Sequence, residues 1–410
     1  MAQLFAVLLA IACIPVLLKM KIPVGPTLLI LGVLAGLVGG LTPAVILAAF
    51  TTVFTDWGNL SSVLVVIEIG MLSTLMSHYG ILKRCENALR ILVPSTRAVI
   101  MLLPAMVGAL QAPGGAALSA PFVNTLGEEM GLDKAQRANV NMISRHVLML
   151  LVPFSTNMII VHSLVPDISL FRLAMLNLGF VSLMQAAGYY FLLRKSKKVP
   201  VPKPTGKERL KAFGEFLLAF SPVYMVIVLN ALFKMPYTAA LLFSMLAVFI
   251  MGNKVDFLRN LAESFNRNTA MMIVGVYFFQ NIVGGSKDLL ELFKALISGQ
   301  SQWVFLGMIA LVGIVFGVST GLMYLAMGVL IPISMSLPFA SEAARLIALS
   351  YTFCWCFIGY FFSPIHLCQL LTDQEIGCTV GERYKNYLPF MVVMPAITIV
   401  LYFVYSMLFI

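Results

Sequence analysis

The stretch LQAPGGAALSAPFV, residues 110–123, interrupts one of the long apolar runs of this chain. Pro113 removes a backbone donor, and Gly114 and Gly115 permit a tight reversal. About 15 apolar residues lie on either side, and as helix they would reach roughly 22 Å, which is too short to cross a bilayer comfortably but enough to reach its middle. Non-helical backbone survives at that depth only where protein or water encloses it. The stretch therefore predicts the tip of a re-entrant hairpin.

The composition is that of an α-helical membrane protein. Hydrophobic residues make up 60% of the 410 residues and charged residues only 11%. Apolar runs of roughly 15 to 22 residues recur, whereas outer-membrane strands would show alternation over about 10 residues. The net charge of +10 follows the loops, so it indicates membrane topology and no nucleic-acid partner. The partners expected instead are membrane lipids.

The order of apolar runs in the first half of the chain recurs in the second half. A basic, proline-rich segment, RKSKKVPVPKPTGKERLK at 194–211, separates the halves and indicates an extended linker. Short amphipathic pieces recur as well. We therefore predict an all-α fold of two inverted-topology repeats, with about ten transmembrane helices, two re-entrant hairpins and two broken helices. The predicted spans lie near 2–18, 22–40, 59–79, 96–165 (interrupted), 168–193, 212–233, 236–252, 268–284, 302–376 (interrupted) and 387–410, and the amphipathic pieces at 43–56 and 81–93 correspond to those at 254–266 and 287–298.

The positive-inside rule orients this arrangement. Placing the linker in the cytoplasm puts most Lys and Arg residues on the cytoplasmic side. The rule thus predicts a multi-pass protein of the cytoplasmic membrane, with both termini outside. One hairpin then opens to the cytoplasm and the other to the outside.

Three further breaks resemble the first. FGVSTGLMY (316–324) predicts a second hairpin tip, and LVPFSTNMII (151–160) and YFFSPIHLCQLL (360–371) each place a proline within an apolar helix. Four such elements would direct several helix N-termini, each with about half a positive charge, at one small volume. We therefore predict one binding site for an anion, with hydroxyls and freed carbonyls available to a small cation. The candidate substrate-binding residues are Gln111, Pro113, Gly114, Gly115, Ser155, Thr156, Asn157, Ser319, Thr320, Gly321, Ser363, Pro364 and His366.

With APGG…SAP at 112–121 and FSPIHLCQLLT at 362–372, the chain resembles a family of prokaryotic membrane proteins known only as domain of unknown function number 401. That family is grouped with the ion transporter superfamily, which includes gluconate permeases, citrate and dicarboxylate symporters and arsenite permeases. The resemblance implies a dimerising scaffold and a transport domain that moves like an elevator. The tips QAPGG and VSTG differ from the Ser-Asn-Thr signatures of the dicarboxylate branch, so substrate identity does not carry over.

The resemblance also implies a division of each half into two parts. The scaffold would comprise 1–95 and 212–300, and the cytoplasmic linker 194–211 would connect the first transport part to the second part of the scaffold. The transport parts would comprise 96–193, with hairpin 96–127 and broken helix 133–165, and 301–410, with hairpin 302–337 and broken helix 341–376. A homodimer is the expected assembly.

Four ionisable residues fall within the apolar segments. Glu68 fits either a proton carrier or a neutral carboxyl bonded to a neighbouring helix. Arg145 lies beside His146, two turns before Pro153. Its side chain could bind an anionic substrate, or it could extend to the cytoplasmic boundary of the membrane and pair there. His366 follows Pro364 closely and is the strongest single candidate for a polar contact, in the first turn of a half-helix.

The expected function of the protein is secondary active transport of a small organic anion. The candidate coupling-ion residues are Ser155, Asn157, Ser319, Thr320, Ser363 and Glu68; the lack of Asp or Glu at the breaks favours Na⁺, while Glu68 and His366 leave H⁺ open. No cofactor beyond Na⁺ and no transition-metal site is expected, and no enzyme motif is present. A channel and a carrier of anionic lipid headgroups are the alternatives.

Overall fold

The computed structural model describes residues 22–109, 115–200, 204–252, 255–284 and 302–410, together with scattered positions among the first 20. The predicted span 2–18, the amphipathic piece 287–298 and the predicted site residues Gln111, Pro113 and Gly114 therefore lie wholly or mostly outside the described residues. Within these ranges the chain is helical, and no strand occurs.

The helices of the first half follow the predicted spans closely. They are α1 (Val24–Val38), α2 (Pro43–Thr55), α3 (Trp57–His78), α4 (Ile81–Leu92), α5 (Thr96–Gly108), α6 (Gly115–Glu129), α7 (Lys134–His146), α8 (Thr156–Leu164) and α9 (Leu170–Gly188). A 3₁₀ turn, Val147–Leu150, follows α7, and a π-helical turn, Tyr189–Leu193, continues α9.

The second half of the chain is helical as well. Its helices are α10 (Gly206–Phe233), α11 (Tyr237–Met251), α12 (Phe257–Glu263), α13 (Arg267–Gly284), α14 (Gln302–Thr320), α15 (Met323–Met335), α16 (Glu342–Phe361), α17 (Leu367–Ile376) and α18 (Val380–Phe409).

Six described helices are long and apolar enough to cross a membrane, which supports a membrane-embedded protein. They are Trp57–His78, Leu170–Leu193, Gly206–Phe233, Gln302–Thr320, Glu342–Phe361 and Val380–Phe409, and five shorter apolar helices accompany them.

The prediction of an extended linker over 194–211 is wrong for its last residues. Helix α10 begins at Gly206 because Thr205 and Glu208 form a capping box: the Thr205 hydroxyl accepts from the Glu208 amide, and the Glu208 carboxylate accepts from the Thr205 amide. This pattern satisfies two helix-end donors and so starts the helix early. The linker before it is held by Arg97, whose guanidinium donates to the carbonyl of Ser196.

Contacts between the halves come in matched pairs. Helix α1 packs on α13, and α11 packs on α3. In the same way α8 packs on α15 and α17 packs on α6, while α7 packs on α18 and α16 on α9. In each of these three pairs, the helices of one contact stand at the same places in the order of helices as the helices of the other contact do in the opposite half.

Candidate functional site

We call the interruption within 151–160 the first break and the interruption within 360–371 the second break. The first break is a real interruption of the helix. After α7 the backbone passes through the 3₁₀ turn and a short loop that contains Pro153, and α8 starts at Thr156. Ser155 caps α8: its hydroxyl accepts from the Met158 amide at 3.3 Å and donates to the Met149 carbonyl at 2.9 Å. One side chain thus joins the two sides of the break.

The second break has the same form. Helix α16 ends at Phe361 and α17 begins at Leu367, with Pro364 in the turn between them. His366 is the residue immediately before the first turn of α17, so the expectation that it lies within that turn is corrected by one position. The Ser363 hydroxyl donates to the carbonyl of Val318 at 2.7 Å. This bond attaches the break to the second hairpin.

The tip of the second hairpin lies against the second break. Gly321 has left-handed backbone (φ 64°), and a Cβ there would be 3.0 Å from the side chain of Ile365. Thr320 closes the tip, because its hydroxyl donates to the Phe316 carbonyl and accepts from the Leu322 amide. Glycine is needed here both for the backbone conformation and for the close approach.

A cavity of about 140 Å³ lies where these elements meet. This volume suits a small solute, since pockets for drug-sized ligands run to about 300–1,000 Å³. Helix α13, from the predicted scaffold, contributes Met272, so the cavity borders both predicted parts of the protein. The lining residues are Gly108, Arg145, His146, Met149, Thr156, Asn157, Met272, Met323, Tyr324, Tyr360 and Cys368.

Three helix N-termini open on this cavity. Thr156 and Asn157 are the first two residues of α8, and Met323 and Tyr324 are the first two of α15. Cys368 is the second residue of α17. The first amides of a helix have no partner within the helix and carry partial positive charge, so all three ends favour an anion.

Arg145 adds a full positive charge to the same wall. Arg145 is 4% exposed. Among the described residues that line the cavity, it is the only one with a permanent charge. Gly108 allows α5 to approach it, because a Cβ at Gly108 would lie 1.9 Å from the Arg145 carbonyl oxygen. The side chain interacts electrostatically with Cys368 and Tyr360. This wall of the cavity can therefore neutralise a negative charge.

Two histidines, one from each broken helix, pack edge to face beside the cavity. The ring centroids of His146 and His366 are 4.9 Å apart, and those of Tyr360 and His366 are 4.0 Å apart. His146 Nδ1 contacts the Met142 carbonyl at 2.7 Å. His366 is 1% exposed, and neither of its ring nitrogens has a hydrogen-bond partner in the part of the chain that the structure describes.

Comparison with known proteins identifies the family. The model of the family described as "Protein of unknown function (DUF401)" matches residues 2–405. The chain belongs to this family. No curated protein matches it.

The structure places the predicted site residues of this DUF401 chain in three groups. Thr156 and Asn157 line the cavity, and His366 packs against two lining side chains. Pro364 is exposed, and Glu68 does not line the cavity. The remaining described candidates form the tips and breaks themselves: Gly115 begins α6, and Ser155, Ser319, Thr320, Gly321 and Ser363 make backbone contacts within or between these elements.

Sequence reasoning missed Tyr324, Tyr360 and Cys368 as lining residues. Each occurs in an apolar run and resembles an ordinary core residue. A positional signal was present, however, because Tyr324 follows the second tip and the other two flank the second break. It also missed a buried polar bridge, in which Ser119 donates to Asn141 at 2.7 Å and Asn141 donates to Thr372 at 2.9 Å.

Proposed function

We propose that this protein is a secondary active transporter that moves a small organic anion, carboxylate-like in chemistry, across the cytoplasmic membrane. The observation that carries the proposal is the cavity on which three helix N-termini and Arg145 converge. No Asp or Glu occurs among the described lining residues, so nothing there opposes a negative solute. These features together favour the binding of an anion in the cavity.

The matched packing of the two halves supports inverted repeats, and with them the ion transporter superfamily. A two-fold relation requires that if α1 contacts α13, the equivalent α11 contacts α3, and the same reciprocity holds for the hairpins and broken helices. We propose that the repeats give ten crossings, with both termini outside.

The position of the cavity supports an elevator mechanism. Its walls come mainly from hairpins and broken helices, with Met272 of α13 as the contribution of the proposed scaffold. A site carried by one body and covered by another can be exposed on alternate sides when the bodies slide. We propose that the scaffold forms a homodimer and that a Na⁺ or H⁺ gradient drives the movement.

The test is uptake of mono-, di- and tricarboxylates into proteoliposomes, with ligand-induced thermal stabilisation of the purified protein as a second measurement. Arg145→Gln should weaken binding roughly 10- to 150-fold, because a charge-assisted hydrogen bond contributes about 1.5–3 kcal/mol. Asn157→Asp should prevent binding by placing a carboxylate beside the anion. Arg172→Gln, at an exposed arginine, is the control.

Three outcomes would contradict the proposal. Flux without saturation or counterflow would indicate a channel, and binding restricted to phosphate-bearing headgroups would indicate lipid transport. Unchanged affinity in a folded Arg145→Gln variant would remove the anion site. Uptake driven by a pH gradient in the absence of sodium would assign the coupling to protons.

A further inference from the structure

A cluster of metal-ligating atoms joins the two broken helices. One ligand atom each from His146, His366 and Cys368 lies within 4.8 Å of the others. His146 ends α7, whereas His366 and Cys368 stand at the start of α17. The three residues are far apart in sequence, and only the packing of the two halves brings them together. We propose that His146, His366 and Cys368 form a binding site for a borderline or soft transition-metal ion such as Zn²⁺.

The hydrogen bonding of the two histidines suits this role. The contact of His146 Nδ1 with the Met142 carbonyl requires Nδ1 to donate, which leaves Nε2 with a free lone pair. Histidines that bind metals commonly donate their other N–H to a carbonyl in this way. His366 is 1% exposed with both ring nitrogens unpartnered, so a bound ion would supply a partner that the described residues do not.

The donor set selects the class of metal. Two imidazole nitrogens and one thiolate suit Zn²⁺ or Cu⁺, whereas Mg²⁺ and Ca²⁺ prefer oxygen ligands. Tetrahedral zinc with bonds of about 2.0–2.3 Å holds its ligand atoms roughly 3.5 Å apart, so the cluster must contract by about 1 Å. On binding, the Cys368 thiol releases its proton to solvent and the sulfur bonds the ion.

An anion in the cavity would supply the fourth ligand of a bound ion. His146 and Cys368 both line the cavity, as does Arg145. The arginine repels a bare cation, and the thiolate together with an anion at the fourth position offsets that repulsion. An ion held here would link the two broken helices across the proposed transport site. This inference goes beyond the proposed function, since a metal can bind whether or not the protein transports an anion.

The test measures Zn²⁺ binding to the intact protein in detergent after a chelator has removed bound metal. Isothermal titration calorimetry gives the affinity and the stoichiometry, and a thermal-shift assay gives the change in melting temperature. We expect one ion per chain and a rise in melting temperature, with no effect of Mg²⁺. Cys368→Ser and His366→Gln should each weaken binding by at least about tenfold. Cys378→Ser and His162→Gln, at residues outside the cluster, are the matched controls and should bind as the wild type does.

A spectroscopic measurement avoids dependence on buried variants that fail to fold. Co²⁺ bound to the wild-type protein should show a thiolate-to-metal charge-transfer band, and the Cys368→Ser protein should lack it. The inference is overturned if the wild-type protein shows no saturable Zn²⁺ binding, if its Co²⁺ complex lacks the band, or if Cys368→Ser binds as tightly as the wild type. These results concern metal binding alone, and anion uptake by the wild-type protein is measured separately, so failure of the metal site is distinguishable from failure of the transport proposal.

Discussion

Replacing Gly317 by alanine should separate the second hairpin from the second broken helix. A Cβ at Gly317 would lie 2.3 Å from the Tyr360 amide nitrogen and 2.4 Å from the carbonyl carbon of Gly359. Both are backbone atoms, so no side-chain rotation can relieve the overlap. Gly313, one turn earlier on α14, is also in close contact with α16. This spacing of small residues permits the close helix crossing.

The size of the effect follows from the overlap. Ordinary contacts begin near 3.4 Å, so the helices must move apart by about 1 Å, and overpacking of this kind costs about 1–3 kcal/mol. Gly307→Ala is the matched control on the same helix, because a Cβ there meets nothing within 4 Å. That substitution should stabilise the helix by about 0.5–1 kcal/mol through its lower backbone entropy in the unfolded chain.

Thermal unfolding of both purified variants, monitored by tryptophan fluorescence, measures the difference. We expect Gly317→Ala to melt below the wild type and Gly307→Ala at or above it. Ligand affinity should fall only in Gly317→Ala, since Tyr360 lines the cavity and moves with the displaced backbone. Equal melting temperatures for the two variants would refute the close crossing.

Three further predictions concern buried and exposed polar groups. Asp373→Asn should lower the stability by about 3–5 kcal/mol, because it leaves the fully buried Arg383 without its carboxylate; pairing it with Arg383→Met should recover most of the loss in a thermal-shift assay. Asn177→Ala should cost about 1–3 kcal/mol in the same assay, because the buried side chain no longer donates to a carbonyl of the first break. The guanidinium of Arg345 holds the pKa of Asp167 below its ordinary value of 3.8, so this carboxylate stabilises the fold above that value and loses its effect as the pH falls through the lowered pKa. The melting difference between wild type and Asp167→Asn should therefore stay constant from about pH 5 to 8 and vanish in acid.

The helices of this protein could be predicted because lipid imposes a strong pattern. A backbone in hydrocarbon must bond to itself, so apolar runs become helices and a proline or glycine cluster within a run marks an interruption. Pro153 and Pro364 lie in real breaks, and Gly321 lies at a real turn. The start of α10 was misjudged because lysine and proline density outweighed the capping signal of Thr205 and Glu208.

The roles of individual hydroxyls could not be read from the sequence. An interrupted helix frees the carbonyl groups of its last turn, and the Ser363 hydroxyl donates to one of them, that of Val318. The hydroxyls of Ser319 and Thr320 instead donate to carbonyls one turn earlier in their own helix. The same residue types would be expected in a ligand site, so composition does not separate the two uses. Tyr360 and Cys368 became visible as site residues only when the packing of distant segments was known.

The inverted repeat that we propose makes a last prediction about the stretch QAPGG. In that repeat α8 and α17 are equivalent half-helices, and residues from the first turn of each line the cavity. By the same relation the equivalent of α15 is α6, which begins at Gly115, and Gly108 at the end of α5 already lines the cavity. Gln111 is the polar side chain that the sequence offers between them. Gln111→Ala should therefore weaken anion binding by roughly 2- to 12-fold, the worth of one neutral hydrogen bond at about 0.5–1.5 kcal/mol, whereas Gln302→Ala, at an exposed glutamine bonded to Tyr402, should leave it unchanged. Equal affinities in the two variants would mean that the tip of the first hairpin does not contribute to the anion site as the tip of the second does. The two tips would then lack the correspondence that the other contacts between the halves show.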